Sequence, residues 1–270
     1  MLRPKQRLIL PSATLSTMAR GTERAREVAP SGSFSYVRRR LGLVDAQRAE
    51  ELIVESPFDF RANAVLYTPK DLPPARAPVF LEKAAERVVE LLQLTDGGAF
   101  VLTTSLTSMK TLHRLLEGRM GQRRLLLQGS APKQALLSAF RAAGDAVLVA
   151  TQSFWEGVDV PGRALRLVVL EKLPFSVPTD PIVKARALAI ESQGGNAFME
   201  LFVPGAAIAL KQGFGRLIRT RQDAGIVALL DERVHTKGYA RHLLRALPPV
   251  RRLDQLDDVR SFWQEVCSRS

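Results

Sequence analysis

The chain has 270 residues, 46% of them hydrophobic, enough for one large core or for a domain with an appendage. No apolar stretch approaches the roughly 18 residues that span a bilayer, the apolar part of MLRPKQRLILPSATLS is too short for a secretory signal, and the single Cys267 forms no internal disulfide or four-cysteine cluster, so a cytoplasmic location is the default. The net charge of +12 points to a polyanion partner, although nine Lys or Arg against two Glu within residues 1–40 place much of the excess at the start.

After LILPSATLS and a Gly/Ser-rich turn, SFSYVRRRLGL (33–43) is predicted to be helical, AVLYTP (64–69) a strand and DLPPARAP (71–78) a linker. VFLEKAAERVVELLQL (79–94) has helical periodicity and stops at Gly97 and Gly98. Strand and helix then alternate: AFVLTTS with SMKTLHRLLEGR, RLLLQG with PKQALLSAFRAAG, and AVLVATQ leading into EGVDVPG. LRLVVLEKL is a further strand before the loop LPFSVPTDP, followed by a helix over about 182–193 and a second one carrying AAIALKQGFGRLIR. Strand GIVALLD, helix KGYARHLLRAL and a tail helix near DDVRSFWQEV complete the chain. Strands alternating with helices of about a dozen residues indicate βαβ units and a mainly parallel sheet.

The run QGFGRLIRTRQDAG (212–225) is the most informative segment. Arg216 and Arg219 share a face if the segment is helical, because residues three apart are neighbours there, and two planar guanidinium forks suit one oxyanion. Against a nucleoside triphosphate they would stabilise charge on the transferring phosphoryl group; otherwise they are a solvated helix pair. Ligands in open α/β sheets gather beyond the carboxyl ends of strands, where Thr103 to Thr107 and Gln152 to Asp159 are expected. Ser105 there suits capping of the next helix as well as phosphate contact. Phe154 and Trp155 are candidates for stacking on a base or for the core. His113, His235 and His242 lack metal-ligand spacing, and no metal site is expected.

Four blocks in order resemble the C-terminal part of a DinG/XPD-like superfamily 2 DNA helicase. LILPSATLS (8–16) is similar to motif III, GGAFVLTTSLTSMKTL (97–112) to motif IV, ATQSFWEGVDVPG (150–162) to motif V and QGFGRLIR (212–219) to motif VI. The resemblance implies a RecA-like, P-loop-NTPase-type three-layer α/β domain at 63–250, after a motif III remnant and basic lead-in at 1–62 and before a tail helix at 251–270. It implies arginine fingers at Arg216 and Arg219, Gln212 beside the γ-phosphate, and nucleotide contacts at Glu156, Gly157, Asp159, Gly213 and Gly215. Single-stranded DNA would meet Thr104, Ser105, Thr107, Thr151, Phe154 and Trp155.

No P-loop, G-x-x-x-x-G-K-[ST], occurs in the sequence. GIVALLDE (225–232) imitates a Walker B strand but follows motif VI, so Asp231 and Glu232 read as a strand-end turn or cap. The expectation is a second motor domain without the first: ATP and Mg²⁺ are held mainly by a separate N-terminal RecA-like domain acting in cis or in trans, translocation runs 5′ to 3′ by family, and any iron–sulfur cluster lies elsewhere. The alternative is a non-enzymatic nucleic-acid-binding or regulatory module that kept this fold.

Overall fold

The computed structural model describes residues 34–43, 50–54, 56–95, 98–155, 158, 160 and 162–269. LILPSATLS and most of the basic lead-in lie outside the described residues, as do Glu156, Gly157 and Asp159.

Among the described residues seven strands form one sheet in the order β3-β4-β2-β5-β6-β1-β7: β1 Ala64–Tyr67, β2 Ala99–Thr103, β3 Leu125–Leu127, β4 Val147–Thr151, β5 Leu167–Leu170, β6 Gly225–Leu229 and β7 Arg251–Leu253. Every pairing is parallel. Strands β1, β2, β5 and β6 are buried at every position, which is why they read as continuous apolar runs rather than as alternation.

Alternate side chains feed two cores, because successive Cβ atoms point to opposite faces. Leu66, Phe100, Leu148, Val168 and Val227 pack with α5 (Lys133–Ala143), α7 (Val203–Leu217) and α9 (Ala240–Arg245). Val65, Val101, Val149, Val169 and Ile226 pack on the other face with α3 (Phe80–Thr95), α4 (Leu106–Leu116) and α10 (Leu256–Ser268). Helix α3 is lashed to β1 by Arg87, which donates to the Tyr67 hydroxyl and pairs with Asp71 at 2.6 Å. Burial pushes the Tyr67 hydroxyl up to about 12 against the opposing pull of Arg87. The short helices α1 (Ser35–Leu41), α2 (Phe60–Asn63) and α8 (Arg233–Thr236) and the longer α6 (Pro181–Ser192) fill the connections.

The structure differs from the expected elements at three places. Residues 251–270 are not a tail helix alone: β7 pairs with β1, and α10 buries Val259, Phe262, Trp263 and Val266 in the core. β7 contains two arginines and no β-branched residue, and such charge is tolerated because it is an edge strand; Arg251 pairs with Glu265 at 2.7 Å. Helix α7 is preceded by a π-helical turn at Phe198–Phe202. Pro204 follows that turn, and lacking an N–H it cannot continue the i→i−4 ladder there. At its other end α7 stops at Leu217, with Ile218 extended at φ −111° and ψ 106°.

Candidate functional site

The candidate residues divide between the two edges of the sheet. At the carboxyl edge, Thr103 and Thr151 lie side by side in the β2–β4 register. Thr103 Oγ1 donates to the Ser105 carbonyl at 3.0 Å. Thr104 donates its N–H and its hydroxyl to Glu171 Oε2, at 3.2 and 3.3 Å. Glu171 is buried at the end of β5, beside Lys172 at 3.0 Å, so it fixes the turn that begins the β2–α4 connection. Ser105 caps α4, its Oγ accepting the Ser108 N–H at 3.0 Å. Ser105, Leu106 and Thr107 are exposed beyond it.

Thr151 donates its N–H and hydroxyl to Gln128 Oε1, at 2.7 and 3.0 Å, and its Oγ1 is 2.9 Å from Ser153 Oγ. The neighbouring Gln152 Nε2 is buried without a hydrogen-bond partner among the described residues. Of the two roles expected for Phe154, stacking on a base or core, the structure shows the core one: it is 5% exposed, with Lys133 Nζ 5.1 Å from the ring centroid, and is no longer a candidate for the strand. An aromatic that follows a buried strand has lost its faces to packing and offers none to a base. Trp155 closes the 3-10 turn Gln152–Trp155, and its side chain lies outside the described residues.

The same edge continues past β5 and β6. Asp231 is buried; its carboxylate accepts the Leu173 N–H at 2.9 Å and the Arg233 N–H at 3.0 Å and pairs with the Arg233 guanidinium at 2.6 Å. Burial by itself would push this carboxyl up, but the Arg233 bonds and the Leu173 N–H more than offset it and hold it below the usual carboxylate range. Glu232 accepts the Ala75 N–H at 2.8 Å. Both acids therefore serve the strand-end turn, as their place after β6 suggests.

The arginine pair lies at the opposite, amino edge. Gly225, the first residue of β6, has no room for a side chain: a Cβ would sit 2.5 Å from Leu217 Cδ1 and 2.7 Å from the Arg166 carbonyl oxygen. That close approach brings the end of α7 onto the start of β6. Arg216 is in the last helical turn, whereas Arg219 follows the extended Ile218, so the two do not share a helix face. A different device sets their relation. Asp223, 8% exposed, accepts the backbone N–H groups of Arg219 at 2.8 Å and Thr220 at 2.7 Å. Both arginines have interaction partners within the protein.

On α7, Gly213 is buried, Gln212 is half-buried, and a Cβ at Gly215 would meet nothing within 4 Å. Lys211 is partly sunk into the helix packing, and that burial lowers its ammonium pKa. A cavity of about 380 Å³ opens beside the arginine turn, lined by Arg163, Arg166, Gln222, Asp223 and Trp263 among others. Four or five residues of strand at about 3.3 Å each separate the edges by roughly 15 Å, so the hydroxyl row and the arginine turn form two surfaces. Among the described residues no group of three or more His, Cys, Asp or Glu is placed to hold a metal ion, and no helix is long and apolar enough to cross a membrane.

Sequence reasoning missed Gln128, Glu171 and Asp223, which hold Thr151, Thr104 and the arginine turn. Only Asp223 left a signal, the polar turn TRQD, which ends two residues ahead of a strand-opening glycine.

Comparison with known proteins gives one consistent picture. A helicase C-terminal domain family matches residues 88–250. The chain is 41% identical over 213 residues to the ATP-dependent DNA helicase YoaA of Escherichia coli, covering 79% of this chain and 33% of that protein. It is 35% identical over 219 residues to the ATP-dependent helicase DinG of Mycobacterium tuberculosis, covering 81% and 33%. A solved XPD helicase superposes with a TM-score of 0.53 at 18% identity, over 71% of this chain and 36% of that one, a likeness of fold. The chain thus spans about a third of the length of the curated relatives it matches.

Proposed function

The chain belongs to the helicase C-terminal domain family, as a RecA-like unit of the DinG/XPD type, and from that membership we propose that it is the second motor domain of an ATP-dependent DNA helicase. The observation that carries this reading is the separation of two surfaces on one domain. Hydroxyls and exposed backbone at the carboxyl edge suit the phosphates of a single strand, and a braced arginine turn at the amino edge suits a nucleotide held by another domain.

ATP with Mg²⁺, bound mainly by a P-loop domain in cis or in trans, supplies the phosphoanhydride bond whose hydrolysis drives such a motor. The residues present fit a supporting role toward it: two guanidinium groups, a turn fixed by Asp223, and open space beside Gly215. Arg216 and Arg219, which have partners within the protein here, would turn to the terminal phosphate and stabilise the charge that develops there. By the family resemblance Gln212 would lie near the γ-phosphate and its attacking water. Gly157, Gly213 and Gly215 would let the backbone approach closely, and Glu156 and Asp159 would hold the ribose or orient the arginines. At the other edge Thr104, Ser105, Thr107 and Thr151 hold strand phosphates, with Trp155 beside them, and 5′ to 3′ movement is the family's expectation.

Fluorescence anisotropy of the isolated chain with a labelled single strand at two salt concentrations, run beside a phosphate-release assay, tests the reading. Weak, sequence-indifferent binding that falls steeply with salt, without DNA-stimulated turnover, is expected. Turnover near the 1–100 s⁻¹ range of about typical phosphoryl-transfer enzymes would overturn it, and so would salt-independent or strongly sequence-selective binding.

A further inference from the structure

Apart from Trp155, whose side chain lies outside the described residues, the reading above uses no aromatic residue, yet the carboxyl edge carries an exposed one. Phe198 is 39% exposed and is the one exposed aromatic among the described residues. It opens the π-helical turn before α7, and three rings hold it: Tyr239 edge-on at 5.0 Å, Phe175 at 5.5 Å and Phe202 near-parallel at 6.4 Å between centroids. Phe175 follows β5 and Tyr239 follows β6, so this cluster stands one strand beyond the Thr104 turn along the sheet edge. Glu171 ties that turn to the β5 end, four residues before Phe175.

The mount is rigid. Asn196 Oδ1 accepts the Met199 N–H at 3.0 Å, and Glu200 Oε1 accepts the Asn196 N–H at 3.1 Å, a reciprocal clasp around the first turn. Arg39 of the basic helix α1 pairs with Glu200, and the Arg233 guanidinium, paired with Asp231, lies 5.8 Å from the Phe175 ring centroid, so two arginines flank the cluster. Leaving a large ring open to water forgoes burial energy. A pre-fixed aromatic beside the edge proposed to hold strand phosphates is instead what stacking on an unpaired base requires, since an ordered platform lowers the entropy lost on binding.

We propose that Phe198 is the nucleobase-stacking platform of the single-strand track, placed by Phe175, Phe202 and Tyr239. The inference rests on the strand-binding reading above and adds the contact that distinguishes bases from a bare phosphate chain.

The test compares the chain with its Phe198→Ala, Phe198→Leu and Phe198→Trp variants. Each is titrated with labelled oligothymidylate and with an abasic deoxyribose-phosphate strand of the same length, and its melting temperature is recorded. Phe198→Ala and Phe198→Leu are expected to weaken thymidylate binding by roughly 5- to 150-fold, the range of one base–aromatic stack, to leave abasic binding unchanged, and to stay folded. Phe198→Trp retains the wild-type preference for thymidylate. The Leu variant keeps apolar bulk in the cluster, so it decides the matter if Ala fails to fold. Equal thymidylate binding by wild type and a folded Leu variant overturns this inference alone, whereas failure of the wild type to bind either strand overturns it together with the strand-binding reading.

Discussion

Replacing Asp223 is the perturbation that bears most directly on how the arginine turn is built. Its carboxylate receives two backbone N–H groups, from Arg219 at 2.8 Å and Thr220 at 2.7 Å. In Asp223→Ala both donors lose their acceptor; at about 1–3 kcal/mol for each unsatisfied group, reduced because Thr220 is exposed and water can reach it, the loss comes to roughly 2–3 kcal/mol. In a domain of this size a loss of 1 kcal/mol lowers Tm by about 2–4 °C, so Asp223→Ala should melt roughly 4–12 °C below wild type. Asp223→Asn keeps an oxygen acceptor without the charge and should lie between the two, about 1 kcal/mol below wild type. Differential scanning calorimetry on matched preparations measures this. In a helicase that carries this chain behind its P-loop domain, Asp223→Ala should also cut the ATPase rate by about 10²-fold, because a misplacement of about 1 Å costs that much. An Asp223→Ala protein that melts within 1 °C or so of wild type would refute the assignment of Asp223 as the brace of the turn.

Gly225→Ala should destabilise the chain by about 1–3 kcal/mol, since one neighbour of the new Cβ is a backbone carbonyl that cannot move aside; urea titration checks it, and an unchanged midpoint would contradict the close approach of α7. The Asp231 carboxyl is held below its ordinary value, so its contribution to stability is present above about pH 4 and is lost as pH falls through the lower folded value. Asp231→Asn should therefore lower stability at neutral pH and flatten the acid limb of a Tm-against-pH curve, and an unaltered acid limb would sink the claim. Phe154→Ala should cost about 3–5 kcal/mol as a core deletion, while Phe154→Leu, which keeps most of the packing, should bind single strands with wild-type affinity by anisotropy; a fivefold loss or more, of about the size of one stack, would return Phe154 to the strand track.

The parallel sheet was legible because its central strands are unbroken apolar runs separated by helices with clear stop signals. Val147–Thr151 and Gly225–Leu229 announce themselves in that way. Arg251–Leu253 does not, since an edge strand can be charged and still pair through its backbone. The end of α7 was illegible for a related reason. LIRTR continues a helical pattern, and the extension at Ile218 is imposed from outside by Asp223 and by the fit of Leu217 against Gly225. Ordered motifs found Thr104, Ser105 and Thr151 at the carboxyl edge but not the partners that fix them, because Gln128 and Glu171 act from neighbouring strands that only the fold brings together. Phe154 takes the core role, one of the two the sequence left open for it, and the exposed Phe198 lies between motifs, where no motif pointed to it.

The proposed role puts Arg216 and Arg219 of this domain at the nucleotide of a DNA-driven ATPase. The most direct measurement is the steady-state phosphate-release rate of the P-loop-containing helicase with Arg216→Ala, Arg219→Ala or Arg219→Lys, taken with the melting temperature of the same preparations. A fall of roughly 10³-fold or more for each Ala variant at unchanged Tm, with poor rescue by Lys, is predicted; near-normal turnover in a folded Arg219→Ala protein would contradict it.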